Sequence, residues 1–349
     1  MGENPSTKAQ IKEMAASLGL SPTTVSVVLN GRGDGVRIAK ETQKKIQELA
    51  KEMNYQPNIY ARRLRKAATE TAPMIITIFW RVDNLNSRLG RFLSGLYEAI
   101  NKRSCQVEIV IQPYEAGSFH RYIEMLNSFR CSGVMISGLT EMEQTALEER
   151  DFDIPVILIG RNSAKFHCVL MDNYRAGKKC SSLLETTHTR TAAFIGFQKG
   201  GQPEHHMEDG FLQGCQSLGI QIKEEWNLRL EKSNFEIGYQ AAVQLFGQMA
   251  LPAAWMIMDN RLSSGILAAC KDHSIKIPQD LKLVFLEESE MLKYNKPALS
   301  SLDVPVRDMA EKALDILLLV NENKINIPIK RELLPTYHIR ESSGLQVNG

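Results

Sequence analysis

No apolar run in the 349-residue sequence approaches the roughly eighteen residues that a membrane-crossing helix needs, so no membrane association is expected. The first thirty residues lack the apolar core of a secretory signal peptide, which points to a cytoplasmic protein. Cysteine is sparse: Cys105, Cys131, Cys168, Cys180, Cys215 and Cys270 form no CxxC pair and sit near no His pair of zinc-ligand spacing. They read as buried, reduced thiols rather than a disulfide framework. GxGxxG, P-loop, GxSxG and HExxH motifs are all missing. His205 and His206 precede Gly210-Phe211 as a solvated pair rather than a metal site, and Glu287 and Glu288 are adjacent, which on a strand end points them apart. No catalytic residue, metal or cofactor is therefore expected. With 43% apolar residues the chain fills a core without staples, and at about 150 residues per domain it makes two domains, or a large one with an appendage.

Net charge of +2 conceals an asymmetry. Residues 1–70 hold twelve Lys and Arg against seven Asp and Glu, while the remainder holds thirty against thirty-three. A basic head on a mildly acidic body suits a polyanionic partner. In that head Ile11, Met14, Ala15 and Leu18 share one helical face, and Gly19 supplies a turn. Ser21 is placed to cap a second helix, with Pro22 at its first position and Asn30-Gly31 at its end. A third helix over about 40–53 buries Ile46, Leu49 and Met53. Two short helices across a glycine turn form a helix-turn-helix, and the small polar side chains of the second suit a recognition helix in the major groove.

From residue 74 short apolar strands alternate with helical segments. Strands are expected at 74–79, 106–112, 133–137, 155–159, 192–196, 254–258 and 281–285, with helices at 89–103 and 119–129. This alternation predicts parallel α/β sheets with a ligand at the strand C-terminal ends.

The run Ile11 to Gly31 (IKEMAASLGLSPTTVSVVLNG) resembles the headpiece of the LacI–GalR family of bacterial transcription regulators, as do Lys51–Asn58 (KEMNYQPN) and Ala61–Arg65 (ARRLR). The body continues the resemblance, in order, at Met171–Gly177 (MDNYRAG), Ala193–Gly196, Gly210-Phe211, Ile277–Asp280, Pro297–Pro305 and Arg340–Ser342. It covers nearly the whole chain. It implies an all-α helix-turn-helix headpiece (1–56), a hinge helix and linker (57–71), and an α/β periplasmic-binding-protein-like body (72–349) of two lobes. The N-lobe would comprise about 72–171 plus 300–326, the C-lobe about 172–299 plus 327–345. Crossings between lobes are expected near 170–172, 289–301 and 319–328.

The resemblance also implies roles. Thr24, Ser26 and Asn30 would bond phosphates, while Pro22, Thr23 and Val27 would face base edges. Val27 cannot donate a hydrogen bond, so it can read only a thymine methyl or exclude a polar edge. Asn58 would cap the hinge helix, Ala61 would allow close approach, and Leu64 would wedge into the central base step of a pseudo-palindromic operator. A homodimer binding double-stranded DNA, controlled by a small-molecule effector linked to carbohydrate metabolism, is implied. The competing class is a solute receptor without DNA activity. Effector contacts are expected from Trp80, Arg88, Arg161, Asp172, Met207, Asp259 and Glu287. Met207 stands where sugar-binding relatives carry an arginine, so a ligand with an apolar or aromatic face is expected before a charged sugar derivative, and a neutral hexose is not.

Overall fold

A computed structural model describes residues 13–29, 38–53, 73–82, 87–126, 131–184, 190–198, 201–323, 325 and 327–345. The chain divides into two compact units, Met1–Met74 and Ile75–Gly349.

In the first unit, helical residues 13–17 end in a left-handed turn at Gly19, φ +62°, a conformation open to glycine without strain. Leu20 N–H donates to the Ala15 carbonyl at 2.9 Å and Gly19 N–H to that of Ala16 at 3.3 Å, the paired bonds of a Schellman cap. Helices Pro22–Leu29 and Lys40–Glu52 follow. Met14, Ala15, Val25, Val28, Ile46 and Ala50 are buried together, with Leu18, Leu49 and Met53 packed against them. The expected stripes, apart from Ile11, which lies outside the described residues, thus meet in one small core.

The second unit contains two six-stranded sheets. The first has the order β11-β5-β4-β3-β1-β2, built from β1 (Met74–Arg81), β2 (Val107–Tyr114), β3 (Gly133–Ser137), β4 (Val156–Ile159), β5 (His167–Met171) and β11 (Lys330–Leu333). The second has the order β12-β10-β9-β8-β6-β7, from β6 (Ala192–Phe197), β7 (Asn227–Leu230), β8 (Ala254–Ile257), β9 (Lys282–Leu286), β10 (Ser300–Asp303) and β12 (Thr336–His338). Pairings β1–β3, β3–β4, β4–β5 and β5–β11 are parallel, as are those of the second sheet apart from β10–β12. Central strands such as β8 are buried along their whole length, as parallel strands covered by helices on both faces must be. Four cysteines are buried, two half-buried, and all six are free. Burial pushes the thiols of Cys180, Cys215 and Cys270 up to about 12, so they are protonated at neutral pH.

The lobe boundaries differ from expectation at two places. Ser300–Asp303 pairs with β9 and so belongs to the second lobe, and Lys330–Leu333 pairs with β5 and belongs to the first. The chain crosses after Met171, again at Val304-Pro305, and a third time at Leu334-Pro335, rather than near 289–301 and 319–328. Leu299 and Leu302, inside and just after the expected 289–301 crossing, are fully buried in the second lobe. Strand Lys330–Leu333 is polar and exposed because it is an edge, so it lacked the apolar signal of its neighbours.

Candidate DNA-reading helix and ligand cleft

Helix Pro22–Leu29 is fixed at its start. Ser21 Oγ accepts the Thr24 N–H at 3.0 Å and lies 2.8 Å from Thr24 Oγ1. Val25 and Val28 turn inward, while Pro22 and Thr23 are exposed and Thr24 and Val27 half-buried. Small uncharged side chains at the helix start let a groove edge approach closely. The Ser26 side chain, and Asn30, Asn58, Ala61 and Leu64, lie outside the described residues.

In the second unit, a cavity open at its mouth lies where strand ends of both sheets meet, with about 850 Å³ of space once the open solvent in front of it is counted. Its wall draws on Trp80, Arg81, Arg88, Gly138 and Arg161 from the first lobe and on Asn173, Glu204, Met207, Met258 and Leu286 from the second. A largely apolar wall with a few convergent polar groups suits a small molecule. Trp80, next to last on β1, is 2% exposed and packs its ring on Phe92 at 5.2 Å. Met207, from helix Gln202–Ser217, is fully buried, and Met171, Met258 and Met309 join it to give a polarizable, deformable wall. Arg161 follows β4; its Nη1 donates to the Leu139 carbonyl at 2.9 Å and its Nε to Gln144 Oε1. Burial pulls the Arg161 guanidinium below its ordinary pKa.

Arg88 spans the cleft. Its Nε donates to Glu287 Oε1 and its Nη1 lies 3.6 Å from Glu204 Oε1. Glu287 therefore sits behind Arg88 instead of in the wall, held at φ +69° with its N–H on the Leu302 carbonyl at 2.8 Å. Asp172 is also outside the wall: its Oδ1 accepts the Arg175 N–H at 2.8 Å, capping helix Asn173–Leu184. Asp259 accepts the Arg261 N–H at 2.8 Å and pairs with that guanidinium at 2.6 Å. Of the seven expected effector contacts, Trp80, Arg88, Arg161 and Met207 line the cavity, while Asp172, Asp259 and Glu287 do not. The three are carboxylates already engaged by backbone N–H groups or arginines.

Sequence reasoning missed Glu204, Asn173 and the remaining methionines, while Arg81 stands in the first-strand loop that the sequence offered for the pocket. Glu204 was legible in principle, since it lies one turn before Met207 on the same helix. Arg81 directly follows Trp80 on β1, and its Nη1 reaches the Gly138 carbonyl at 3.2 Å.

Comparisons with known proteins agree with this architecture. A family model described as bacterial regulatory proteins, lacI family, matches residues 10–58, and one described as a periplasmic binding protein-like domain matches residues 182–343. The HTH-type transcriptional repressor PurR of Vibrio vulnificus is 26% identical over 322 residues, spanning 89% of this chain and 91% of that protein. A LacI family transcription regulator from Clostridium acetobutylicum superposes with a TM-score of 0.72 at 23% identity, covering 76% of this chain and 99% of that one. The lac repressor dimer bound to operator and the anti-inducer ONPF gives 0.67 at 16% identity, covering 95% and 97%. With a lacI family helix-turn-helix region ahead of a periplasmic binding protein-like domain, and relatives of nearly equal length that are transcription regulators, the chain is a LacI-type DNA-binding transcription regulator.

Proposed function

We propose that the chain represses transcription as a cytoplasmic homodimer on a pseudo-palindromic operator, and that a small molecule in the interlobe cavity sets its operator affinity. The observation that carries the reading is the cavity wall, built from both lobes at once. A ligand touching Arg161 and Met207 together interacts differently with open and closed lobes, and only such differential affinity shifts a conformational equilibrium. Pro22, Thr23 and Val27 read base edges, Thr24, Ser26 and Asn30 hold phosphates, and Asn58, Ala61 and Leu64 serve the hinge at the operator centre.

Selection of duplexes from a random pool with the full chain tests this. A two-fold sequence with a flexible pyrimidine–purine step at its centre is expected, bound with log K falling as log salt rises. Leu64→Ala should weaken the selected site by about tenfold or more while leaving random DNA nearly unaffected, because the wedge acts only on a kinked step. Equal losses on both DNAs, or selection of no sequence, overturns the assignment.

A further inference from the structure

Arg161 is 6% exposed and lines the cavity, yet its partners are neutral: Gln144 Oε1 and the Leu139 carbonyl. Among the described residues no carboxylate lies within 4 Å of it, whereas Arg91 is answered by Asp303 and Arg340 by Glu288. A guanidinium withdrawn from water without a paired carboxylate is costly, and burial pulls its pKa down although Glu141 and Glu204 attract it from beyond ion-pair distance, with Arg81 repelling it. Helices Asn173–Leu184, Gln202–Ser217 and Val306–Asn323 all start at the cavity wall, so their positive ends add to the field there. Against this stands the carboxylate of Glu204, which is shared between the Gly201 N–H at 3.0 Å and Arg88. The carboxylates that could read sugar hydroxyls, Asp172 and Asp259, are turned to other work.

We propose that the effector is a small organic anion, whose carboxylate or phosphate supplies the counter-charge to Arg161 while its apolar body lies against Met207, Met171 and Met258. This rests on the cleft being the effector site. The guanidinium fork suits a planar or tetrahedral oxyanion, and the negative charge is stabilised without recruiting a residue from elsewhere. Neutral sugars leave the buried charge unanswered and lay hydroxyls against thioethers.

The test uses the full chain and matched probes at constant ionic strength: phenylacetate against phenylacetamide, and glucose 6-phosphate against glucose. Binding is read by calorimetry and by the rise in unfolding temperature. At least one anion of the set should bind, its neutral partner at least about tenfold more weakly. Arg161→Gln should abolish the difference between partners, and Arg161→Lys, which keeps the charge, should retain part of it. Circular dichroism reports whether each variant folds, and a failure of Arg161→Gln to fold leaves Arg161→Lys to decide. Neutral compounds binding as tightly as their anions, anions that bind Arg161→Gln undiminished, or no anion binding at all would each overturn the proposal. A neutral ligand that binds the cavity and alters operator affinity overturns the anion alone and leaves the cleft reading in place. Operator affinity indifferent to every compound that binds would sink the cleft reading instead.

Discussion

His167 shows how one side chain couples the first sheet to pH. It is 8% exposed on β5, and its Nδ1 accepts the Ile329 N–H at 3.0 Å beside the edge strand β11. That bond requires the neutral ring, and burial lowers its pKa from the ordinary 6.5. The folded state therefore binds the proton later than the unfolded state as pH falls. Stability from this group is complete above about pH 6.5 and declines as pH drops from there through the folded pKa. Unfolding temperatures of the chain and of His167→Gln, measured from pH 8 to pH 5, should converge as pH falls; a constant difference would show that His167 does not titrate in the fold. Residue-scale legibility of the cleft was mixed for a related reason. Trp80, Arg88, Arg161 and Met207 carry side chains whose placement follows from strand ends and helix faces. Asp172, Asp259 and Glu287 are short or backbone-bound acids whose partners, the Arg175 N–H, Arg261 and Arg88, are set by local loop geometry and by a contact 199 positions away. No pattern in the sequence announces such a pairing.

Among elements, helices Asn173–Leu184 and Gln202–Ser217 pack backbone against backbone. A Cβ on Gly177 would sit 1.9 Å from the Met207 carbonyl oxygen, so the two backbones touch where no side chain fits. The obstacle is helix backbone and cannot rotate away as a side chain could. Met207 and Glu204 of the wall are thereby held by the helix that begins at Asn173. Gly177→Ala should destabilise the chain by about 3 kcal/mol or more, the scale of an overpacked core that cannot relax, and it should weaken cavity ligands in parallel. Denaturant unfolding and calorimetry on the folded fraction measure the two effects; a loss below about 1 kcal/mol would mean that the helices separate at little cost. Elements themselves were largely legible. Apolar runs gave seven of the twelve described strands within a residue or two, the central ones because strands buried on both faces are apolar along their whole length, and they missed β5, β7, β10, β11 and β12. The helices of the headpiece followed from Gly19, Ser21 and Pro22. Membership of the two lobes was harder to read: Ser300–Asp303 and Lys330–Leu333 are four-residue strands, and only their pairing partners say which sheet they join.

On the scale of the whole body, the lobes are joined by three crossings and by ion pairs that run from one lobe to the other. Arg88 and Arg91 stand on helix Ser87–Arg103 of the first lobe, while Glu287, Glu204 and Asp303 belong to the second. The Arg91–Asp303 pair spans 2.8 Å near the second crossing, where it need not break if the lobes hinge. Arg88 instead reaches across to the end of β9, and its pair with Glu287 is lost on opening. Glu287 is 7% exposed, so losing Arg88 leaves a buried carboxylate without its cation. Breaking a fully buried pair costs about 3–5 kcal/mol, and here less, because the Arg88 side chain is 26% exposed and opening lets the carboxylate hydrate. The cheapest response of Arg88→Met is therefore to open. In solution scattering the variant should show a larger radius of gyration than the parent without ligand. Its cavity ligands should bind more weakly in proportion to the fall in closed population, since apparent affinity scales with the competent fraction. Glu287→Gln removes the charge that opening would relieve and should shift the radius less than Arg88→Met does. If both variants keep the parent radius and ligand affinity, lobe closure is held by the apolar wall alone and the Arg88 pair only orients side chains already brought together.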